Sequence, residues 1–460
     1  MLPCLLDAPR ADTVPVTPLR KAELEGWLET APEAARAWVR STGFTAAPGS
    51  HALVPGPDGR LGRVLAGVGD KLDLWSFAAL PGSLPAGSYR IDADLGGKAA
   101  TAAAVGWALA CYQFTRYKKP TKEFPALVLP TGADGAAADR TARSAYLVRD
   151  LVNTPCEDMG PPELAAAAVK LAEEFGARAT VISGQDLLAQ NYPMVHAVGR
   201  AAAKAPCLID IRWGEAGHPL VTLVGKGVCF DTGGLDIKGS ANMLMMKKDM
   251  GGGAHALALA RMVMDARLPV RLRVLVPAVE NAISGNAFRP LDILPTRKGL
   301  TVEIGNTDAE GRLILCDALA EADTEKPALL LDFATLTGAA RVALGVELPA
   351  LFCNDETLAA DILAASKDAD DPMWRLPLWQ GYRPQLDSKI ADLNNAPSGG
   401  FAGAITAALF LEQFVSKDTP WAHVDLYSWN GSAKPGRPEG GEAMTLRAFF
   451  TLIERRFAKA

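Results

Sequence analysis

Leu220-Val221-Thr222-Leu223-Val224-Gly225, the run Gly253-Ala254-His255-Ala256-Leu257-Ala258-Leu259-Ala260-Arg261-Met262-Val263-Met264-Asp265-Ala266, and Val270-Arg271-Leu272-Arg273-Val274-Leu275-Val276 follow one another along the chain. The first and third are short, β-branched and apolar, and read as strands. The second is long and rich in Ala and Leu, and reads as a buried helix. A strand apolar on both faces cannot have one side in water, so it needs cover from helices on each side. The same alternation recurs on either side. Further strand patterns are Ala179–Ser183, Cys207–Trp213, Ala328–Phe333 and Ala422–Tyr427. Helix patterns are Ala142–Val152, Pro162–Phe175, Leu313–Ala322 and Ala404–Val415. The class is α/β, with a largely parallel sheet covered by helices on both faces. Ligands in such sheets bind beyond the C-terminal ends of the strands, which directs attention to the segments that follow them.

Upstream of residue 140 the pattern changes, and we place a domain boundary there, dividing the chain into 1–140 and 141–460. The first part mixes patterns. Leu19–Gly43 has helical spacing, Gly62–Ala66 and Leu72–Ala79 look like strands, Thr101–Phe114 looks like a buried helix and Phe124–Leu129 like a strand. Residues 132–138 are small and loop-like.

At 460 residues the chain is long enough for more than one core. Its 47 basic residues against 52 acidic ones give a net charge of −5, which disfavours a general nucleic-acid binder. The first residues lack a basic stretch leading into an apolar core, and no apolar run approaches the ~18 residues of a membrane span. Seven scattered cysteines without CxxC spacing read as reduced thiols rather than a disulfide framework. The expectation is a cytoplasmic protein with no membrane partner.

Three polar segments hold the candidate chemistry. One runs Gly225-Lys226-Gly227-Val228-Cys229-Phe230-Asp231-Thr232-Gly233-Gly234 and on to Asp236-Ile237-Lys238. Another is Met246-Lys247-Lys248-Asp249-Met250-Gly251-Gly252. The third is Gly305-Asn306-Thr307-Asp308-Ala309-Glu310-Gly311-Arg312-Leu313. Clustered carboxylates suit divalent cations, and a pair of cations needs acids that bridge them. The glycines permit close backbone approach. None of the five histidines falls in these segments, which disfavours a His-rich zinc site. His255, the nearest, reads as a core or surface histidine rather than a ligand. Taken singly, Asp249 and Asp308 could equally be helix N-terminal acids, and Lys247-Lys248 a solvated or supporting charge pair. A phosphate-cradling loop is weakly supported, because Phe230 stands where a dinucleotide fingerprint needs glycine and no GKS or GKT occurs.

Asn306-Thr307-Asp308-Ala309-Glu310-Gly311-Arg312-Leu313 resembles the signature of the leucyl (cytosol) aminopeptidase family. The spacing of Lys226, Asp231, Lys238 and Asp249 is similar to that family's, as are Leu151–Pro155, Ala334–Ala339 and Trp421–Asp425. The likeness covers residues ~140 to 455. It implies a metalloaminopeptidase acting on peptides with a free N-terminus, with a smaller N-terminal α/β domain and a homohexameric assembly. The cofactors it implies are two divalent metals per subunit, zinc or manganese, and bicarbonate. By resemblance, Asp231 and Glu310 bridge the metals, Lys226 and Asp249 complete the tighter site, and Asp308 binds the more exchangeable ion. Lys238 would stabilise the tetrahedral intermediate. Arg312, with backbone from Gly311 and Leu336, would hold bicarbonate as general base. Met246, Thr335 and Gly338 would line the pocket for the first side chain. Gly239, Gly253 and Asp236 depart from the usual pattern and leave the pocket's shape open. The alternatives are a two-metal phosphohydrolase and a DNA-binding scaffold.

Overall fold

The computed structural model describes residues 1–120 and 122–458. The chain forms two compact units. One comprises Met1–Tyr146 with Gly431–Glu439, the other Leu147–Asn430 with Gly440–Ala460.

The first unit is built on a six-stranded sheet, parallel except where His51–Pro55 pairs antiparallel with Leu61–Gly67. The buried helix expected near residue 101 is present as Gly97–Ala110, and the strand near 124 as Ala126–Val128. Three expectations fail here. The helical pattern of Leu19–Gly43 is cut into Leu24–Thr30 and Glu33–Ser41, because Pro32 has no N–H to continue the first helix. The Leu72–Ala79 segment forms turns, not a strand, and its Leu74, Phe77 and Ala78 are buried without sheet pairing. The loop expected at 132–138 gives way at Gly135 to a helix reaching Asn153.

The second unit contains a nine-stranded mixed sheet. Its middle is parallel, in the order Trp421–Asp425, Leu329–Ala334, Leu220–Gly225, Arg271–Asn281, with Gly227–Asp231 also pairing parallel to the last of these. Antiparallel pairing is found toward the edges, at Cys207–Trp213 and Arg178–Ser183 on one side and Ala350–Cys353 on the other. Alternate residues of one strand enter different cores. Leu329, Leu331 and Phe333 pack with helices Pro161–Glu174, Gly251–Asp265 and Leu446–Phe457. Leu330 and Ala334 pack with Glu310–Asp323 and Gly403–Glu412. The two-sided burial inferred from the apolar strands is thus realised. The approach is close: a Cβ on Gly252 would lie 2.0 Å from the Phe333 carbonyl oxygen, so helix Gly251–Asp265 meets the sheet backbone to backbone. No described helix is long and apolar enough to cross a membrane.

Candidate active site

The C-terminal ends of the parallel strands deliver the polar segments to one place. Lys226 is the residue between Leu220–Gly225 and Gly227–Asp231, and Asp231 ends the second of these strands. Asp249 lies in the 3-10 turn Met246–Met250 that leads into helix Gly251–Asp265, and Glu310 opens helix Glu310–Asp323. Between Asp231 and Lys238 the chain turns sharply at Gly233 and Gly234, both at positive φ (89° and 67°). A side chain at Gly233 would strike the Asp236 carbonyl oxygen at 2.4 Å, so the turn needs glycine twice over.

The side chains form one connected ionic cluster. Lys226 Nζ lies 2.8 Å from Asp249 Oδ2 and 3.0 Å from Glu310 Oε1, and donates to the Thr335 carbonyl oxygen at 3.0 Å. Lys238 Nζ is 2.9 Å from Asp231 Oδ2 and also pairs with Asp308 Oδ1. Carboxylate oxygens of Asp231, Asp308 and Glu310 come within 4.8 Å of one another. Four acids share two lysines, and the account does not balance: Glu310 Oε2 is buried with no hydrogen-bond partner. Burial, reinforced by the charge of Asp231, pushes the Glu310 carboxyl up to about 8 and that of Asp308 up to about 6. Burial alone would lower Lys226 and Lys238, but their carboxylate neighbours outweigh it and hold both ammonium groups above the usual range. An oxygen-rich pocket with more negative charge than its lysines neutralise fits divalent cations.

A cavity of about 670 Å³ opens onto the cluster. Its walls include Lys226, Asp231, Lys238, Asp249 and Asp308, together with Met246, Thr335, Leu336, Gly338 and Arg312. Gly311 lies against Lys226, where a Cβ would come within 2.7 Å of Nζ. The residues to which the resemblance gives a metal, catalytic or substrate role therefore converge. Arg312 is buried and donates through Nη1 to the Asn395 carbonyl oxygen at 2.7 Å, while its Nε has no partner. Burial lowers its guanidinium to about 10. The Leu336 amide donates to Asp425 Oδ1 at 2.9 Å, so it is not a free donor.

One sequence reading narrows, at Lys247-Lys248, and another, at His255, holds. Lys248 is not solvated: it is buried, with Nζ 4.5 Å from the Tyr427 ring centroid, and burial lowers its ammonium to about 8. Lys247, half-buried, donates to the Asn153 carbonyl oxygen at 2.7 Å. His255 is a core residue whose Nδ1–H donates to the Gly251 carbonyl oxygen (2.6 Å), while Nε2 accepts from the Met444 amide (2.9 Å). No histidine lines the cavity. The sequence reading missed the groups that hold the acids in place. Asn281 Nδ2 donates to Asp231 Oδ1 at 2.8 Å, and Asn395 Oδ1 accepts from the Gly305 amide at 2.7 Å. The Thr307 hydroxyl donates to the Gly233 carbonyl oxygen at 2.6 Å.

Residues 146–450 match the model of the cytosol aminopeptidase family, catalytic domain, and residues 14–130 match that of the M17 aminopeptidase N-terminal domain. The chain belongs to the cytosol aminopeptidase family. It is similar to the crystal structure of the cytosol aminopeptidase from Coxiella burnetii, at 49% identity and TM-score 0.96, with 99% of each chain covered. A probable cytosol aminopeptidase from Roseiflexus castenholzii is 40% identical over 366 residues, 76% of this chain and 75% of the relative. The bottromycin maturation enzyme BotP, solved in complex with Mn, is 33% identical with TM-score 0.87, covering 97% of this chain and 100% of that one. The family membership makes this chain a metalloaminopeptidase, a hydrolase that uses a divalent metal. It lends no support to the phosphohydrolase or the DNA-binding scaffold.

Proposed function

We propose that the chain cleaves the N-terminal peptide bond of peptides at a centre for two divalent ions, zinc or manganese. The observation that carries this is the buried, unpartnered Glu310 Oε2 beside the converging oxygens of Asp231 and Asp308. Asp231 and Glu310 would bridge the ions, Lys226 and Asp249 would complete one site, and Asp308 the other. Two ions bound there would supply a water acidified to near-neutral pKa and Lewis-acid assistance at the scissile carbonyl.

The protein's own residues do the rest. The cavity admits a peptide end, and Met246, Thr335 and Gly338, which line it, would receive its first side chain. Lys238, bound to Asp231 and Asp308, stands ready to donate to the carbonyl oxygen as charge develops on it. For Lys226 to serve as a ligand it must release its proton, which two adjacent cations would favour. Arg312, whose Nε is free of partners, would hold bicarbonate with the Gly311 backbone. The Leu336 amide could join only by leaving Asp425. We further propose a cytoplasmic homohexamer with domains divided near residue 140. The relatives' description as cytosol aminopeptidases supports the location.

The test is hydrolysis of Leu- and Met-leading peptides and arylamides, before and after chelation, by wild type and Glu310→Ala. Wild type should lose activity on chelation and regain it with Mn²⁺ or Zn²⁺. The variant should lose both activity and bound metal. A Glu310→Ala protein with wild-type rate and metal content would defeat the reading. Light scattering should give a hexamer; a monomer at every working concentration would remove that part.

A further inference from the structure

The N-terminal unit has its own cavity, of about 710 Å³, with Cys4 and Cys111 in its wall. The two cysteines come from distant stretches of chain and are anchored on neighbouring residues. The Cys4 carbonyl oxygen accepts from the Leu127 amide at 2.9 Å. Cys111 caps helix Gly97–Ala110, and its Sγ lies 3.9 Å from the Pro125 carbonyl oxygen. Those two anchors, Leu127 and Pro125, are only two residues apart in the chain, and Tyr146 lines the same cavity. Lys122 lines the same cavity, near enough for its charge to favour a thiolate at Cys111. Both cysteines are free thiols.

This arrangement differs from the other five cysteines. Burial pushes Cys156 and Cys207 up to about 12 and Cys353 up to about 11, and pushes Cys229 and Cys316 well above the ordinary range. Such thiols hold little thiolate and react slowly. At Cys4 the neighbouring Cys111 thiol outweighs burial and lowers the thiol, while Cys111 itself is raised. One sulfur is therefore prepared as the nucleophile and the other keeps its proton.

We propose that Cys4 and Cys111 are a dithiol modification site, oxidised to a disulfide by a small hydroperoxide that enters this cavity. In the first step the Cys4 thiolate attacks one peroxide oxygen. An S–O bond forms, the O–O bond breaks, and the departing hydroxide takes a proton and leaves as water. Cys4 is now a sulfenic acid. In the second step the Cys111 sulfur attacks the Cys4 sulfur. The S–S bond forms, the S–O bond breaks, and the hydroxyl leaves as water with the Cys111 proton. Two thiols and one hydrogen peroxide give one disulfide and two waters. The pairing is reversible by thiol exchange, as expected of a responsive disulfide rather than a structural one.

The experiment uses the full-length, metal-loaded protein with hydrogen peroxide, followed by alkylation, trypsin and mass spectrometry without reductant. Cleavage isolates each cysteine, in peptides 1–10 and 99–116. The expected product is these two peptides joined, two hydrogens lighter than their sum and separated by dithiothreitol. The five other cysteines should still be alkylated after unfolding. Cys111→Ser should stop at a Cys4 sulfenic acid that dimedone traps, and Cys4→Ser should leave Cys111 unoxidised. The proposal is overturned if the joined peptides do not form while other cysteines oxidise. It is equally overturned if Cys111 oxidises as fast in Cys4→Ser as in wild type. The wild-type mapping stands without the variants, and no readout depends on aminopeptidase activity.

Discussion

Two ionic clusters lie in the larger unit, and they solve opposite problems. Around Arg273 the charges are mutually satisfied. Its Nη2 reaches Asp210 and Glu321, each at 2.7 Å, its Nη1 reaches Glu325 at 3.2 Å, and Arg212 and Arg297 pair with Glu325 and Glu321 in turn. Those pairings hold the Glu325 carboxyl below its usual range despite the opposing effect of burial. Around Lys226 and Lys238 the acids outnumber the cations, and burial drives Glu310 the other way, up to about 8. An ionic cluster that closes on itself cements helix Glu310–Asp323 to the sheet. One that leaves carboxylate oxygens over has room for further cations.

If that contrast is right, removing Arg273 should damage the fold and not the chemistry. Arg273→Ala leaves three acids facing one another, and breaking a buried pair in this way costs about 3–5 kcal/mol. Denaturant unfolding should show that loss, while kcat of the folded protein stays at the wild-type value. A large fall in kcat would erase the distinction. Lys238→Ala should behave in the reverse manner. Unfolding should change little, but kcat should drop by roughly 10²–10³-fold, as when other oxyanion donors are removed, with KM nearly constant. An unimpaired kcat would show that Lys238 serves only to pair the acids.

His255 gives an internal control, because it lies just after Asp249 yet has both ring nitrogens engaged. Burial lowers its imidazole from 6.5 to about 4. As pH falls from 6.5 to 4 the unfolded chain takes up this proton before the folded one does. The stability due to the neutral ring is therefore complete above pH 6.5 and is lost by about pH 4, a span worth up to about 3 kcal/mol. In His255→Gln, the slope of unfolding free energy against pH should shrink by about one proton in that window. An unchanged slope would mean the ring titrates normally. The smallest effect is expected at Asn281, which orients Asp231. Asn281→Ala should weaken metal binding by roughly 10–100-fold in a chelator competition, as loss of a hydrogen bond to a ligand does elsewhere. Wild-type affinity would place Asp231 outside the metal centre.

Much of the cluster could be read beforehand because its acids sit in short glycine-bearing segments after strands. Asp308, Glu310 and Arg312 fall within a single octapeptide. Their supports could not be read this way. Asn281 and Asn395 belong to no motif, Asp425 ends a family-like segment that assigned it no role, and each reaches its partner from more than twenty residues away. The long apolar strands were legible from composition, and Leu220–Gly225 and Cys207–Trp213 have the expected ends. Gly227–Asp231 was hidden because its polar ending reads as loop, and it becomes a strand only by pairing with Arg271–Asn281. At Leu72–Ala79 apolar residues suggested a strand, but burial in turns met the same need without pairing. Local pattern reports which residues leave water and does not fix the backbone shape in which they do so.

The order of the central strands also has a consequence for a newly made chain. Leu223 pairs beside Leu331, and Leu331 beside Ala422, so neighbours in the sheet are synthesised far apart. Parallel pairs of this kind must close long loops before any contact repays the lost entropy, and they form slowly. Until Trp421–Asp425 has docked, Leu329–Ala334 has an unpaired apolar edge able to join another copy. Refolding yield should therefore fall steeply as protein concentration rises, and the molecules that escape aggregation should recover activity only in their last kinetic phase.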